Sequence, residues 1–217
     1  MVDWEAHLAT ALARYEERQH DVPTDPHGRQ GRLTQLGNAA GAVALSLLML
    51  GRDGQATGWF GRAAEHYRES WVDAPPGSWG RPIGSVKSRL MAGDQAGAEA
   101  DARWALDEGA ALSAGPIGRY AAVLALLTLA RDAEALPLAE GLRDREDFPG
   151  PVADALRALA SADADAYASA VREVLRSFEG RDAYLEDIPI ADTVLVLQAL
   201  ARDRSLQVPL SSALLPV

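Results

Sequence analysis

Apolar positions along the chain recur at intervals of three and four, the spacing of one face of an α-helix. Trp4, Leu8, Leu12 and Tyr15 follow it and predict a lone helix from Asp3 to about Glu17. The next stretch, His20 to His27, carries two prolines among Asp residues and reads as a connection. Beyond it the pattern predicts helices in pairs: about 29–50 with 53–70, 82–92 with 94–108, 116–130 with 132–144, and 151–160 with 163–178. A last helix, about 189–203, caps the series, and the tail Leu206 to Val217 is expected to pack over it as extended chain. The stretch Gly115–Leu127 is apolar nearly all round, as a helix buried on both sides must be.

Two periodicities tie these pairs together. Pro82-Ile83-Gly84, Pro116-Ile117-Gly118, Pro151-Val152-Ala153 and Pro189-Ile190-Ala191 follow one another at spacings of 34, 35 and 38 residues. Each is expected to open a helix, because proline in the first turn loses no useful hydrogen bond and brings φ already set. Between them, Gly51, Ala56, Phe60 and Ala63 stand 5, 4 and 3 residues apart, and Gly93, Ala98, Ala102 and Ala105 repeat those intervals. A third copy is Ala130, Ala135, Ala139 and Leu142, and a fourth begins at Ser161 with Ala166 and Ala170. The first position ends one helix and needs an open backbone, while the small residues on the next helix permit close approach. Ala98 and Ala102 are therefore expected in a tight helix–helix contact.

This arrangement resembles the tetratricopeptide repeat over roughly residues 37–175, most closely at Gly51–Ala63 and Gly93–Ala105. In the first helix of the third unit, Arg119, Ala122, Val123 and Leu126 stand where the family carries Trp, Leu, Gly and Tyr. Repeat and resemblance together imply an all-α fold of nine or ten helices. It would be a tetratricopeptide-like α-solenoid of antiparallel helix pairs, with an extra N-terminal helix and a C-terminal capping helix, in one domain spanning residues 1–217.

Composition agrees with helix: 42 alanines and 29 leucines make a third of the 217 residues, with no long β-branched runs. Net charge is −10 and the isoelectric point about 4.8, which repels nucleic acid and anionic membranes and attracts basic partners. Arginine outnumbers lysine 20 to 1, a bias of composition rather than a nucleic-acid signature. The absence of cysteine excludes disulfides, thiolate-bound metals and thiol nucleophiles. The start of the chain has no signal-peptide pattern, and the most apolar run is too short to span a bilayer. A cytoplasmic protein with no membrane partner and no cofactor is expected.

Candidate chemistry is sparse. His20, Asp21, Asp25 and His27 match no metal-site spacing and read as a turn. Glu65 and His66 are neighbours on a helix and so do not face each other. The segment Ser70–Ile83 lengthens one connection and holds Trp71, Trp79 and Arg81, residue types enriched in binding hot spots. It admits two roles, a docking surface or a plug for the protein's own groove. Arg119 and Tyr120 interrupt the apolar third unit and could face a concave surface. Glu179, Asp182, Glu186 and Asp187 surround Tyr184; Tyr184, Glu186 and Asp187 form a second candidate patch for a basic partner.

The C-terminal third also resembles an immunity-protein family of bacterial polymorphic toxin systems. The stretches that carry this are Ala162–Tyr167, Leu200–Arg204, and Val208 with Ser212 ahead of Leu215-Pro216. The resemblance implies a protein that binds and neutralises a toxin. The expected function is thus non-enzymatic protein binding through Trp71, Trp79, Arg81, Arg119 and Tyr120, with an enzyme or small-molecule sensor on the same scaffold as the alternative.

Overall fold

A computed structural model describes residues 2–216 and is all-helical, with no strand among the described residues. The helices are α1 (Trp4–His20), α2 (Pro26–Met49), α3 (Asp53–Trp71), α4 (Gly80–Met91), α5 (Gln95–Asp107), α6 (Pro116–Thr128), α7 (Asp132–Arg143), α8 (Gly150–Ala160), α9 (Ala164–Glu179) and α10 (Asp192–Arg202). Asp3, Asp25, Asp94 and Asp163 cap α1, α2, α5 and α9 by accepting a hydrogen bond from the backbone N–H three residues on. Asp25 therefore serves the His20–His27 segment as a helix cap, through Gly28 N at 2.8 Å.

Four connections use one backbone device. After α2, α4, α6 and α8 the chain turns left-handed at Gly51, Gly93, Ala130 and Ala162, with φ of 69°, 70°, 53° and 52°. The next amide then reaches back to the carbonyl five residues earlier: Arg52 to Leu47, Asp94 to Arg89, Arg131 to Leu126 and Asp163 to Ala158, all within 2.9–3.0 Å. The first three are the positions the 5-4-3 intervals predict. In the fourth the left-handed residue is Ala162 rather than Ser161, which stays right-handed at φ −95° as the last cap residue.

Each helix packs on the next in sequence, and α4, α6, α8 and α10 also pack in succession, with α10 returning to α4. Ala98 and Ala102 are fully buried, as are their counterparts Ala135 and Ala139. The core of α4–α10 is built largely from Ala and Leu around Tyr167 and Phe178. A second cluster joins α1, α2 and α3 to Ile188 and Ile190, which arrive from the far end of the chain.

That arrival corrects the fourth proline. Pro116 and Pro151 lie in the first two positions of α6 and α8, and Pro82 in the first turn of α4, but Pro189 stands outside α10, which starts at Asp192. There the Ile190 N–H closes a tight turn on the Ile188 carbonyl at 2.8 Å, and both isoleucines pack with the first helices. The Ala191 N–H is spent on the Leu214 carbonyl of the tail at 3.0 Å. The tail has no helix or strand among its described residues, buries Val208 and Leu215, and is tied to Gln198 through Val208.

Alanine in the left-handed region is strained by its Cβ. Ala130→Gly, at an exposed site with φ 53°, should raise stability by about 0.5–1 kcal/mol. Ala100→Gly, exposed inside α5, should lower it by roughly 0.5–1 kcal/mol. Urea midpoints moving the same way in both variants would show that the turn after α6 is not held left-handed.

Candidate functional site

Trp71 ends α3, Trp79 precedes α4 and Trp104 lies near the end of α5, so the helix ends bring three of the five tryptophans together. The Trp71 ring centroid is 5.3 Å from that of Trp79 and 5.9 Å from that of Trp104, the latter pair edge to face. The Arg68 guanidinium stacks 4.8 Å from the Trp104 ring centre. Trp79 is wedged inward against Ala110, Ala121 and Ala122. A Cβ at Gly118 would stand only 2.8 Å from its indole nitrogen. The Ser70–Ile83 segment thus mixes packed and exposed residues. Trp79 packs inside, whereas Val72 beside Trp71 is 78% exposed, and Leu112 and Ile117, flanking the start of α6, are 91% and 47% exposed.

The other expected residues face different surroundings. Arg81 is half-buried and donates to Gln30 Oε1 of α2. Arg119 lies against α7, where a Cβ at Gly141 would stand 3.0 Å from its Nη1. Tyr120 stacks at 5.5 Å on Phe148 and is close to Lys87, and burial raises its pKa. The acidic patch is a clasp: Glu186 pairs with Arg18 at 2.8 Å and with Arg14 at 3.5 Å, and Arg14 also holds Asp187 at 2.8 Å. The Glu186 side chain is only 9% exposed, while Asp187 stays open at 77%. Both carry left-handed backbones, with φ of 54° and 60°, and the tight turn aims their carboxylates at α1. The Tyr184 hydroxyl donates to Phe178 O at 2.6 Å.

Between α2, α4 and the segment that follows α9 lies a cavity of about 410 Å³. Its walls include Asn38, Tyr67, Arg81, Lys87, Arg181 and Tyr184. The Tyr67 ring is clamped between two helices that approach through glycine: a Cβ at Gly37 or Gly84 would come within 2.9 or 2.7 Å of it. Its hydroxyl donates to Asn38 Oδ1 at 2.8 Å, and burial lifts its pKa far above the ordinary tyrosine value. Lys87 pairs with Asp192 and donates to Thr193 Oγ1 at 3.3 Å, joining α4 to α10. Burial pulls the Lys87 ammonium down, but Asp192 more than offsets this, so it stays charged. Sequence reasoning passed over this residue, although a lone lysine among twenty arginines was a signal available to it.

A separate buried group sits on the first helices. His66 Nε2 and the Tyr15 hydroxyl share a hydrogen bond of 3.0 Å, and His66 Nδ1 is buried without a partner. Glu65 points to solvent, so the adjacent carboxylate and imidazole do not form an acid–base pair. No three His, Asp or Glu side chains converge as metal ligands among the described residues. No described helix is long and apolar enough to cross a membrane. Comparison with protein-family models, curated proteins and solved structures gave no match.

Burial lowers the His66 pKa below its ordinary value of 6.5. The unfolded chain therefore takes up a proton first as pH falls. The contribution of neutral His66 to stability is complete above about pH 6.5 and is lost as pH falls toward the folded-state value. Melting from pH 7.5 down to 5.5 should show a larger drop for the wild type than for His66→Gln. Parallel profiles would rule out this coupling.

Proposed function

We propose that the chain is a non-enzymatic binding module built as a tetratricopeptide-like stack of antiparallel helix pairs, which captures a basic protein stoichiometrically. Toxin neutralisation of the immunity-protein kind is its specific form. The repeat reading is supported by the shared turn after α2, α4, α6 and α8, and by the short connections that fold each of these helices onto the next. The observation that carries the binding reading is the aromatic end. Trp71, packed edge to face on Trp104, precedes the exposed Val72, and the exposed Leu112 and Ile117 flank the helix start against which Trp79 is wedged. Exposed apolar groups gathered beside rigid aromatics are what a protein interface needs at its centre. Asp73, Asp107 and Glu108 stand exposed on the same helix ends and would form an acidic rim. In a chain of net charge −10, that rim speeds encounter with a cationic partner and makes the on-rate fall with salt.

Within this reading, Trp71 remains a contact residue and Trp79 supports it from behind. Arg81 lines the cavity, Tyr120 packs on Phe148, and the Tyr184–Asp187 patch offers a partner mainly Asp187. Small-molecule sensing is the second reading, favoured by the cavity between α2 and α4.

Affinity capture from the native host followed by mass spectrometry should return one basic protein as a stoichiometric complex. Leu112→Glu and Ile117→Glu, both at exposed sites, should each weaken that complex about tenfold or more, the scale of a hot-spot loss. Their melting temperatures should be unchanged. Equal affinity at equal stability in both variants rejects the aromatic end as the docking surface.

A further inference from the structure

The lining of the cavity has the opposite charge to the molecule around it. Four ionisable side chains of fixed sign border it: Arg81, Lys87, Arg181 and Asp192. Asp192 is consumed, since one carboxylate oxygen holds Lys87 and the other accepts from Thr193 N at 2.7 Å. Two guanidinium groups are left over, an excess of positive charge inside a chain whose net charge is −10. Neither Arg81 nor Arg181 makes an ion pair with a carboxylate among the described residues. Arg81 is held only by the neutral Gln30 side chain, and its Nε is buried without a hydrogen-bond partner. Burial without a counter-charge pulls the Arg81 pKa below its ordinary value. Arg181 stacks 3.6 Å from the Phe178 ring centre and is exposed at the cavity mouth.

Among the neutral groups, one adds a donor. Asn38 Oδ1 is occupied by the Tyr67 hydroxyl, which leaves the amide as a donor. Thr34 and Ser88 spend their hydroxyl protons on the carbonyls of Gln30 and Gly84. The unspent donors of the site are thus the two unpaired guanidinium groups and the Asn38 amide, while the hydroxyls keep only acceptor lone pairs. The remainder of the wall is apolar, with Leu45, Ile83, Met91, Phe178, Ile188 and Ile190. A volume of about 410 Å³ falls in the small-molecule range of roughly 300–1,000 Å³.

We infer that the cavity binds a small amphipathic organic anion, its carboxylate held by Arg81 and Arg181 and its apolar body lying along Leu45, Ile83 and Met91. The inference rests on the small-molecule reading and stands apart from docking at the aromatic end. A half-buried cation with no counter-charge costs stability until an anionic acceptor reaches it. A bound carboxylate supplies that acceptor, and the low-dielectric wall strengthens the contact.

Isothermal titration with octanoate and with octanamide, which share a chain length and differ in charge, tests this. Octanoate should bind about tenfold or more tightly than octanamide at low salt. The difference should shrink in 0.5 M NaCl, as partly exposed charge pairs require. In Arg81→Gln/Arg181→Gln the preference for octanoate should vanish, with octanamide binding kept. Arg181→Gln alone, at an exposed position, should reduce the preference and serves if the double variant fails to melt cooperatively. Equal affinity for the two probes, or a preference that survives in a folded variant, overturns the anion assignment while leaving a small-molecule site standing. Absence of binding by either probe overturns both.

Discussion

The return of residues 184–192 to the first helices is the contact on which the rest of the structure depends. Helices that pack only on their sequence neighbours leave an apolar inner face open to water, and burial of that face is what stabilises them. Here the chain leaves α9, turns tightly at Glu186 and Asp187, and packs Ile188 and Ile190 with Leu8, Val43 and Phe60, so the last part of the molecule covers the first. Charged groups fix the register of this closure: Glu186 reaches Arg14 and Arg18 on α1, and Asp192 reaches Lys87 on α4. Most of these charges are partly buried, so each one left unpaired would cost more than an exposed pair gains.

The closure also creates the candidate sites. Without the segment after α9, the inner faces of α2 and α4 would present Asn38, Tyr67, Arg81 and Lys87 to open solvent. With it, they become walls of an open-mouthed cavity, and Lys87 acquires its partner. The aromatic end has a different origin. It arises because three long side chains sit at helix ends that the short connections bring to one side of the molecule. Trp79 fills the gap between α4 and α6, which leaves Trp71 and Trp104 on a firm backing and Val72, Leu112 and Ile117 uncovered. Separate physical causes thus produce an inward-facing cationic cavity and an outward-facing apolar surface.

Glycine and small side chains set how close the helices come. Gly37 and Gly84 admit the Tyr67 ring between α2 and α4, and the fully buried Ala98, Ala102, Ala135 and Ala139 let α5 and α7 lie close against their neighbours. Asp101 is a further case of a demand created by packing. Buried on α5, it accepts from Ser85 at 2.6 Å and pairs with Arg68, so α3, α4 and α5 share one carboxylate.

The helices, their order and the turns that join them were legible in the sequence because their causes are local. Three- and four-residue apolar spacing, Asp at the caps, proline in the first turn and an open backbone at Gly51, Gly93 and Ala130 act within a few residues of one another. The 5-4-3 intervals therefore located three left-handed turns and the buried faces of α3, α5 and α7. Pro189 failed as a helix start for the opposite reason: contacts with Leu214 and with the first helices, far away in sequence, decide its backbone. The same holds for the sites. Hot-spot residue types marked Trp71 and Trp79, but only packing wedged Trp79 against the start of α6 and set Trp71 beside the exposed Val72. An acidic run at Glu186 and Asp187 has the same composition whether it faces solvent or α1, and only tertiary structure brought Arg14 and Arg18 to it. The cavity left almost no linear trace, because its charge balance depends on which partners Lys87 and Arg81 meet. Local sequence determined the helices; long-range closure decided which of their side chains were spent and which remained free to bind.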